Sequence, residues 1–435
     1  MENSPGKEFD LAVISCGLAG MAACIHLSKA RLKVLCIEAH LGDNDPVGES
    51  LDWSAPALLQ SLGLPMEDLL ERGIATYKRH VILRLRDGSE QHYEPGEWLG
   101  RPPFNIDLRT LHVDRTLLNQ ALRNRVLEMG VTLLPDKVVH VETSGRGVIA
   151  VSTKSGQRIC SPWFIDASGS GSSLFPRAFD SLAHEYGPHK VAMWEYFTVA
   201  KSIEGTTLHA DGAARYMEWV WQIPIHPNAV SVGYVCSGEQ VKEKRRQGMS
   251  VLEIFQAQLA QAPELQALVP RAVGQPPRTT SFRCRVFHKI TGPNWLVVGE
   301  AAAMVDPMTS NGVTAAIRHA VEASSLVARF YRRGSLPYLP AAMYSLRVIS
   351  LARFFNSAIE KVLYERPIRS RIGPFRAGNV YTIPAWSLNA FYSKLQPQGI
   401  FTTLLFVGLV GLLRTSVHVF YTLCRWQQPN PEVPA

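Results

Sequence analysis

Residues 9–38 constrain the fold of this chain more than any other stretch. An apolar run from Phe9 to Ile14 leads into a turn of small residues, SCGLAG, at positions 15–20. A helical stretch follows, and a second apolar run from Leu32 to Ile37 ends at the acid Glu38. The order strand, glycine turn, helix, strand, acid is typical of a βαβ unit that places a pyrophosphate on a helix N-terminus.

The glycine turn predicts a dinucleotide site with one irregularity. Gly17 and Gly20 lack a Cβ and therefore let the backbone approach a phosphate closely. Ser15 stands where the first glycine of a G-x-G-x-x-G motif belongs, and we expect it to tighten the turn. Glu38 lies at the spacing of an acid that accepts hydrogen bonds from ribose hydroxyls. An ordinary βαβ turn without a ligand is the alternative.

Composition favours a reduced, globular protein. The chain has 435 residues, of which 46% are hydrophobic and 19% charged, enough for two or three domains. Its seven scattered cysteines form no C-x-x-C pair, which disfavours zinc and disulfide frameworks. Its histidines show no metal-binding spacing, so no metal is predicted. The first residues include Glu2 and Glu8, so we expect no secretory signal and a cytoplasmic location.

The charge of the chain is unevenly distributed. The net charge is +8, and residues 329–376 hold ten Lys/Arg against two acids. Aromatic residues do not interleave with these cations, which argues against a nucleic-acid partner. A solvated helical face is one interpretation of the run, and contact with an anionic membrane surface or an acidic partner is the other.

The C-terminal segment 399–426 is apolar. Its first part, Gly399 to Leu413, contains no charged residue, and Arg414 then interrupts the run. Fifteen residues are short of the roughly 20 that a spanning helix needs. A spanning helix, an interfacial helix and a lid over the active site are all compatible with this pattern. A membrane contact would favour a lipophilic substrate.

The pattern of elements predicts an α/β fold with a divided nucleotide domain. We predict a Rossmann-type dinucleotide-binding domain over residues 1–185, with a small inserted hairpin near 77–95, and its last part over 281–333. Longer alternating strands over 186–280 predict an inserted antiparallel sheet that carries the substrate. Residues 334–435 are predicted to be a helical C-terminal region. Within this frame we expect a strand over 77–85 and helices over 114–129, 251–268 and 313–331.

Further motifs follow predicted strands or open predicted helices. Such positions meet at one edge of a doubly wound sheet, where ligands bind. They are Gly48-Glu49-Ser50 after the second strand, Arg115 at a helix start, Asp166 and Gly299-Glu300 at strand ends, Asp306-Pro307, and Gly312-Val313 at the start of a long helix.

Taken in this order, residues 9–333 resemble the flavin-dependent halogenases and the related FAD monooxygenases. The resemblance implies FAD as cofactor, with Ser15, Gly17, Gly20 and Glu38 around its ADP half. It implies that the segments at 48–50, 115, 166, 299–300, 306–307 and 312–313 lie along the flavin. Reduced flavin would come from a separate flavin reductase. Glu300 replaces the aspartate of the family and, with Ser15, departs from its pattern.

Two features distinguish branches of this superfamily. Trp219-Val-Trp221-Gln-Ile-Pro224 resembles the W-x-W-x-I-P stretch of halogenases, and Lys78 lies where their catalytic lysine is expected. The resemblance implies that halide is oxidised to hypohalous acid, which the lysine ammonium binds or captures near an electron-rich aromatic or lipophilic substrate. Trp194, Trp219 and Trp221 are candidate pocket walls, with sheet core as the alternative.

Three other functions remain open from the sequence. A monooxygenase could hydroxylate an aromatic ring, including a tryptophan side chain in a peptide. A prenyl-chain reductase of the same fold would need hydride rather than oxygen. A membrane-associated binding protein with a degenerate flavin site would account for Ser15 and Glu300 without catalysis.

Overall fold

The structure is a computed structural model that describes residues 9–40, 47–200, 203–271, 276–395 and 399–426. The polar loop expected after Glu38 lies in part, at residues 41–46, outside the described residues.

Strands and helices alternate in the first part of the chain, and helices dominate the last. The strands are β1 (Leu11–Ile14), β2 (Val34–Glu38), β3 (Ala75–Lys78), β4 (Val81–Leu85), β5 (Glu90–Tyr93), β6 (Thr110–Val113), β7 (Thr132–Pro135), β8 (Val138–Ser144), β9 (Gly147–Thr153), β10 (Arg158–Cys160), β11 (Trp163–Asp166), β12 (Ala183–Thr198), β13 (Thr206–Ala210), β14 (Trp219–His226), β15 (Ala229–Ser237), β16 (Arg278–Phe287), β17 (Trp295–Val297) and β18 (Ala303–Met304). The helices are α1 (Leu18–Lys29), α2 (Ala55–Ser61), α3 (Met66–Glu71), α4 (Arg115–Glu128), α5 (Gly169–Ser172), α6 (Leu174–Ala178), α7 (Gly238–Arg246), α8 (Val251–Leu259), α9 (Gly312–Phe330), α10 (Tyr338–Ile359), α11 (Arg366–Ile372), α12 (Pro374–Leu395) and α13 (Ile400–Trp426).

A five-stranded parallel sheet has the order β17-β11-β1-β2-β7. Leu11 pairs with Val34 on one side and with Trp163 on the other, so β1 lies at the centre. All four β1 residues are buried, as expected for a parallel strand covered on both faces. Helices α1 and α9 pack against each other beside this sheet. The predicted α/β fold is confirmed.

The second large sheet has eight strands in the order β18-β16-β12-β15-β14-β13-β4-β5. Its long central strands pair antiparallel, as the alternating pattern predicts. The expected single strand over 77–85 is wrong, because residues 79–80 separate two strands that enter different sheets. Strand β3 pairs with β6, whereas β4 pairs with β5 and, in parallel, with β13.

The eight-stranded sheet extends beyond the limits expected from the sequence. Strand β12 begins at Ala183, and β16 continues to Phe287, whereas the expected sheet region is 186–280. The β4–β5 hairpin, expected as an insertion in the first domain, forms one edge of this sheet. Local sequence patterns do not reveal that β4 pairs with β13, because more than 100 residues separate the two strands. The proposed domain boundaries remain predictions.

Helix ends follow local chemistry where the sequence carries a clear signal. Asp114 caps α4 by accepting from the backbone N–H of Leu117 at 3.0 Å, and Gly130 follows with φ +74°. The predicted helix over 251–268 is too long. Helix α8 ends at Leu259, and a separate 3-10 turn covers Gln266–Arg271. Pro263 in the intervening segment explains the interruption, since its ring disfavours a continuous helix.

A buried ion cluster joins the large sheet to the C-terminal helices. The Lys190 Nζ lies 3.0 Å from a carboxylate oxygen of Asp306 and 3.0 Å from one of Glu360. Glu360 belongs to a π-helical turn, Glu360–Tyr364, that continues α10. Burial disfavours the charged ammonium, but the two carboxylates outweigh that effect and raise the pKa of Lys190.

Replacing Lys190 with Met is expected to destabilise the protein by about 3 kcal/mol, because it leaves two carboxylates buried without their cation. Urea unfolding followed by circular dichroism measures this difference. Arg246→Met is the matched control, since Arg246 makes a solvent-exposed ion pair with Glu243 on α7. Equal stability of both variants would show that the cluster contributes nothing net to folding.

Candidate active site

One cavity of about 560 Å³ runs between the carboxyl edge of the parallel sheet and the eight-stranded sheet. Its volume falls within the usual range of small-molecule and cofactor sites. The nucleotide-side wall comes from the turns after β1 and β11 and from the start of α9. The far wall is mainly apolar and comes from β4, β14 and α12.

The turn after β1 is tight, as the sequence indicates. Ser15 has φ +79°, a conformation that non-glycine residues adopt at a cost of about 1–2 kcal/mol. A Cβ on Gly20 would lie 1.9 Å from the Ser15 carbonyl oxygen, so only glycine fits there. Ser15 and Gly17 line the cavity, whereas Gly20 lies behind them and permits the turn.

The Glu38 carboxylate closes this turn from the neighbouring strand. The Ser15 hydroxyl donates to Glu38 Oε2 at 3.0 Å, and the backbone N–H of Cys16 donates to the same oxygen. The backbone N–H of His40 donates to Glu38 Oε1 at 2.8 Å. A side chain at position 15 therefore supplies a bond that glycine would lack, and this bond offsets part of the backbone strain. Glu38 does not line the cavity itself, although it lies at its edge.

Arg115 holds the backbone of Val47 and Gly48 beside the cavity. Its guanidinium donates to the carbonyl of Val47 at 2.8 Å and to that of Gly48 at 3.4 Å, and its buried Nε has no hydrogen-bond partner among the described residues. A Cβ on Gly48, at φ +112°, would lie 2.9 Å from Arg115 Nη1. Ser50 is buried and its hydroxyl lies 2.8 Å from that of Thr206. The arrangement holds a buried cation beside the cavity.

Glu49 is also buried, and its carboxylate is satisfied by neutral donors. Glu49 Oε1 accepts from the hydroxyls of Ser231 at 3.0 Å and Tyr196 at 3.3 Å. The Ser231 hydroxyl in turn accepts from the Trp221 indole N–H at 3.0 Å. The segment predicted to lie along the flavin is thus tied to the substrate-side sheet.

The acids at the two strand ends have different roles. Asp166 is fully buried and accepts from the backbone N–H groups of Ser168 at 3.0 Å and Phe175 at 2.7 Å. Burial raises the pKa of Asp166, and these bonds oppose that shift. Asp166 therefore shapes the turn and does not line the cavity. Glu300 is exposed, lines the cavity and accepts from the Ser170 hydroxyl at 3.1 Å.

Gly299 and the segment after β18 complete the nucleotide-side wall. Gly299 has φ +61°, and a Cβ there would lie 2.8 Å from the Ala19 Cβ. Pro307, Gly312 and Val313 line the cavity, and Gly312 is the first residue of α9. The first N–H groups of a helix have no acceptor within the helix, so this end can hold an anion.

Asp306 does not face the cavity. Its carboxylate accepts from the Tyr364 hydroxyl and the Met308 backbone N–H, both at 3.0 Å, in addition to Lys190. Tyr364 also accepts from the Trp219 indole N–H at 2.9 Å. Asp306 therefore fixes the cavity-lining segment that follows it and connects that segment to a pocket tryptophan.

Lys78 ends β3 and is almost fully buried in the cavity wall. Its Nζ donates to the Leu51 carbonyl at 2.8 Å and lies 4.9 Å from the centroid of a Trp53 ring. Burial lowers the pKa of Lys78 to about 7, although the nearby Asp52 carboxylate opposes the shift. The side chain thus changes charge near neutral pH, which an exposed lysine does not.

The three candidate tryptophans, Trp194, Trp219 and Trp221, are buried and all line the cavity. The rings of Trp219 and Trp221 lie 5.9 Å apart at 50° to each other. The Trp194 indole N–H has no hydrogen-bond partner within the described residues. All three side chains lie on the face of the large sheet that borders the cavity and belong to the same hydrophobic cluster, so their role as substrate contacts remains a prediction.

Several cavity residues escape sequence reasoning. Asp52 lies beside Lys78, and its carboxylate accepts from the Asn389 side chain on α12 at 3.3 Å. Asn389 also donates to Asn311, directly before α9, at 3.1 Å. Trp386 packs on Trp53 with ring centroids 4.2 Å apart. No local signal marks these pairs, because more than 300 residues separate Asp52 from Asn389.

The residues around the cavity fit FAD. The glycine turn leaves room for a pyrophosphate, Glu38 ends the strand beside this turn, and Arg115 presents a buried cation with an N–H that has no partner among the described residues. The start of α9 can face a negatively charged flavin ring. Within the described part of the chain, no cluster of His, Cys, Asp or Glu could hold a metal ion.

Replacing Gly20 with Ala is expected to lower FAD affinity at least about tenfold, because the added Cβ displaces the Ser15 carbonyl and opens the turn. Fluorescence titration of the apoprotein with FAD measures the change. Gly238→Ala is the control, since Gly238 starts the distant helix α7 and its Cβ would make only ordinary contacts. Unchanged FAD affinity in Gly20→Ala would remove this turn from the cofactor site.

Two family models match the sequence. The model described as tryptophan halogenase matches residues 108–347, more than half of the chain. The model described as lycopene cyclase protein matches residues 10–193.

Curated proteins and solved structures agree with these matches. The chain is 26% identical over 344 residues to "Flavin-dependent halogenase armH5" of Armillaria mellea, covering 72% of this chain and 63% of that protein. It is 27% identical over 330 residues to "Tryptophan 2-halogenase" of Chondromyces crocatus, covering 73% and 60%. The structure of the flavin-dependent brominase Bmp2 aligns with a TM-score of 0.70 and 19% identity, covering 95% of this chain and 99% of that one.

The chain thus spans about three fifths of the length of these two curated relatives, while its fold matches the brominase along nearly its whole length. The predicted resemblance and FAD as cofactor are confirmed at the level of the family. The predicted roles of individual residues remain predictions. The match over more than half of the sequence shows that this chain belongs to the tryptophan halogenase family.

Proposed function

We propose that the protein uses reduced flavin and oxygen to halogenate an electron-rich aromatic or lipophilic substrate. The observation that carries this proposal is the position of Lys78. A buried lysine with a pKa of about 7 shares one cavity with the predicted flavin segments and with three tryptophans. An aromatic hydroxylase needs no ammonium group at this place.

Lys78 is suited to hold hypohalous acid next to the substrate. Its tether to the Leu51 carbonyl fixes one N–H direction and leaves the others for a ligand. The indole of Trp53 favours the charged form of the amine through its π face. The aromatic carbon then bonds to the halogen as the oxygen–halogen bond breaks, and the ring proton leaves, giving the halogenated ring and water.

The cavity favours a large apolar substrate. Leu83, Leu85, Met217 and Ile223 line its far part together with the tryptophans. The Trp53, Trp98 and Trp386 rings form a second aromatic group beside Lys78, with Trp98 and Trp386 stacked at 6.0 Å. Offset and edge-to-face contacts with a substrate ring are available at the tryptophans that line the cavity, Trp386 and the three of the large sheet.

The supply of reduced flavin and halide is part of the same proposal. We propose that a separate flavin reductase delivers reduced FAD, since the sequence carries one dinucleotide motif, at residues 15–20. Halide would bind near the start of α9, where Gly312 and Val313 line the cavity. We place the protein in the cytoplasm.

Lys78→Ala is expected to abolish halogenation, with product formation falling at least about 100-fold, because the hypohalous acid loses its charged donor. The assay supplies reduced FAD, oxygen and bromide or chloride with a panel of phenols and indoles, and mass spectrometry detects halogenated product. Arg79→Ala is the matched control, since Arg79 is the exposed neighbour and pairs with Glu204 at the surface.

Other products in this assay would identify the other functions. Hydroxylated product with the same yield in Lys78→Ala would support a monooxygenase and contradict the halogenase proposal. Anaerobic saturation of a prenyl chain would support a reductase. FAD affinity measured on the same samples separates lost chemistry from lost cofactor.

Halogenation is expected to decline as pH rises through about 7. The charged ammonium is the proposed donor, and the depressed pKa of Lys78 means that it loses its proton in this range, far below the range of an exposed lysine. A pH profile of kcat measures the decline. A rate that instead rises through pH 7 would assign a nucleophilic role to the neutral amine.

A further inference from the structure

Helix α13 has two apolar faces, of which only one is covered by the described residues of the chain. Phe406, Val410, Val417 and Cys424 are buried and recur at spacings of four and seven residues. This face packs against α10 and α11. It accounts for one side of the helix and leaves the opposite side to solvent.

The opposite face exposes large apolar side chains along the whole helix. Nine of them are at least one third exposed, and they include Phe401, Leu405, Leu412, Val419 and Trp426. Phe401 and Trp426, near the two ends, are 78% and 79% exposed. Together these residues present roughly 1,000 Å² of mainly apolar surface, more than the few hundred Å² usual for the largest patch on a soluble monomer.

The packing of α13 determines how it can meet a membrane. By length and composition it is the one helix in the described part of the chain that could cross a bilayer. Its buried residues run from Thr403 to Cys424, a length of about 30 Å, so the rest of the protein packs against nearly the entire helix. A helix packed in this way cannot cross a bilayer alone, and its exposed face is oriented to lie flat on a surface.

Positive charges border this face. Arg414, His418 and Arg425 follow one edge of α13 at helical spacing. Segments packed beside them add Arg353 and Lys361, and the Lys361 Nζ lies 3.0 Å from His418 Nδ1. Helix α13 itself contains no acidic residue.

The cations near α13 have few counter-charges. Partial burial and the nearby charges of Arg353, Arg414 and Lys361 lower the pKa of His184, which shows that these cations share one region. Tyr421 donates to the carboxylate of Glu365, the acid nearest to this edge of the helix. Among the described residues, no ion pair includes Arg353, Lys361 or Arg414.

We propose that the exposed face of α13 binds an anionic bilayer surface, with its apolar side chains in the headgroup–acyl boundary and the bordering cations on lipid phosphates. The interaction is peripheral, without a membrane span, and the protein body stays outside the bilayer. An apolar face supplies affinity, and the cations supply the preference for anionic lipid. This proposal does not depend on the reaction in the cavity.

Vesicle co-sedimentation of the full chain tests the proposal. The protein is expected to bind vesicles of equal parts phosphatidylcholine and phosphatidylglycerol at least about tenfold more tightly than vesicles of phosphatidylcholine alone. The double variant Leu405→Glu/Leu412→Glu is expected to lose at least about tenfold in affinity for the anionic vesicles. Its matched control is Leu127→Glu/Val139→Glu, which places two acids on similarly exposed apolar positions of α4 and β8.

A second pair of variants separates the two contributions. Arg414→Gln/Arg425→Gln is expected to weaken binding to anionic vesicles while leaving the weak binding to neutral vesicles unchanged. Arg246→Gln on α7 is the charge control. Circular dichroism and FAD affinity confirm that each variant is folded.

Two outcomes would overturn the proposal. In the first, wild-type protein does not bind anionic vesicles. In the second, light scattering without lipid shows a dimer that Leu405→Glu/Leu412→Glu converts to a monomer, and vesicle binding is the same in both forms. The second result would assign the face to another copy of the chain.

Discussion

The buried ammonium of Lys190 holds together three parts of the structure that are distant in sequence. It extends from β12 of the large sheet, and its two carboxylate partners belong to the segment after β18 and to the turn after α10. Charges removed from water in this way are tolerated only with close partners. The cluster therefore joins β12 and the segment after β18 to the turn after α10.

The same cluster connects the apolar wall of the cavity to its nucleotide-side wall. One carboxylate oxygen of Asp306 accepts from the Lys190 ammonium, and the other accepts from the Tyr364 hydroxyl. The Tyr364 hydroxyl in turn accepts from the indole N–H of Trp219. Two hydrogen bonds thus connect Trp219 in the cavity wall to Asp306, which precedes the segment predicted to face the flavin. Gly187 leaves space for the Glu360 side chain of the cluster, because a Cβ at position 187 would lie 2.4 Å from a Glu360 carboxylate oxygen. The same cluster therefore fixes both the position of Trp219 in the cavity wall and the backbone of the segment after Asp306.

Sequence reasoning picked out several residues that line one wall of the cavity because the patterns that mark them are local. Glycines at tight turns, an acid after β2 and small residues before α9 each follow from one strand or helix end. The pairing of β4 with β13 and the contact of Asn389 with Asp52 could not be inferred, because they depend on which distant segments meet. Asp166 and Asp306 show a subtler limit. Both carboxylates are fully buried and do not line the cavity, and their predicted contact with a cofactor stays a prediction.

The Ser15 substitution has a different meaning in the structure than in the sequence. The left-handed backbone of Ser15 lowers the stability of the folded chain by about 1–2 kcal/mol, so the glycine motif alone suggests that serine is unfavourable here. Its hydroxyl donates to Glu38 at 3.0 Å and brings that carboxylate onto the turn, where the Cys16 N–H also binds it. A hydrogen bond to a charged group contributes about 1.5–3 kcal/mol, which is comparable to the strain. The turn therefore keeps the geometry of a glycine motif with a serine, because the acid of the neighbouring strand stabilises it.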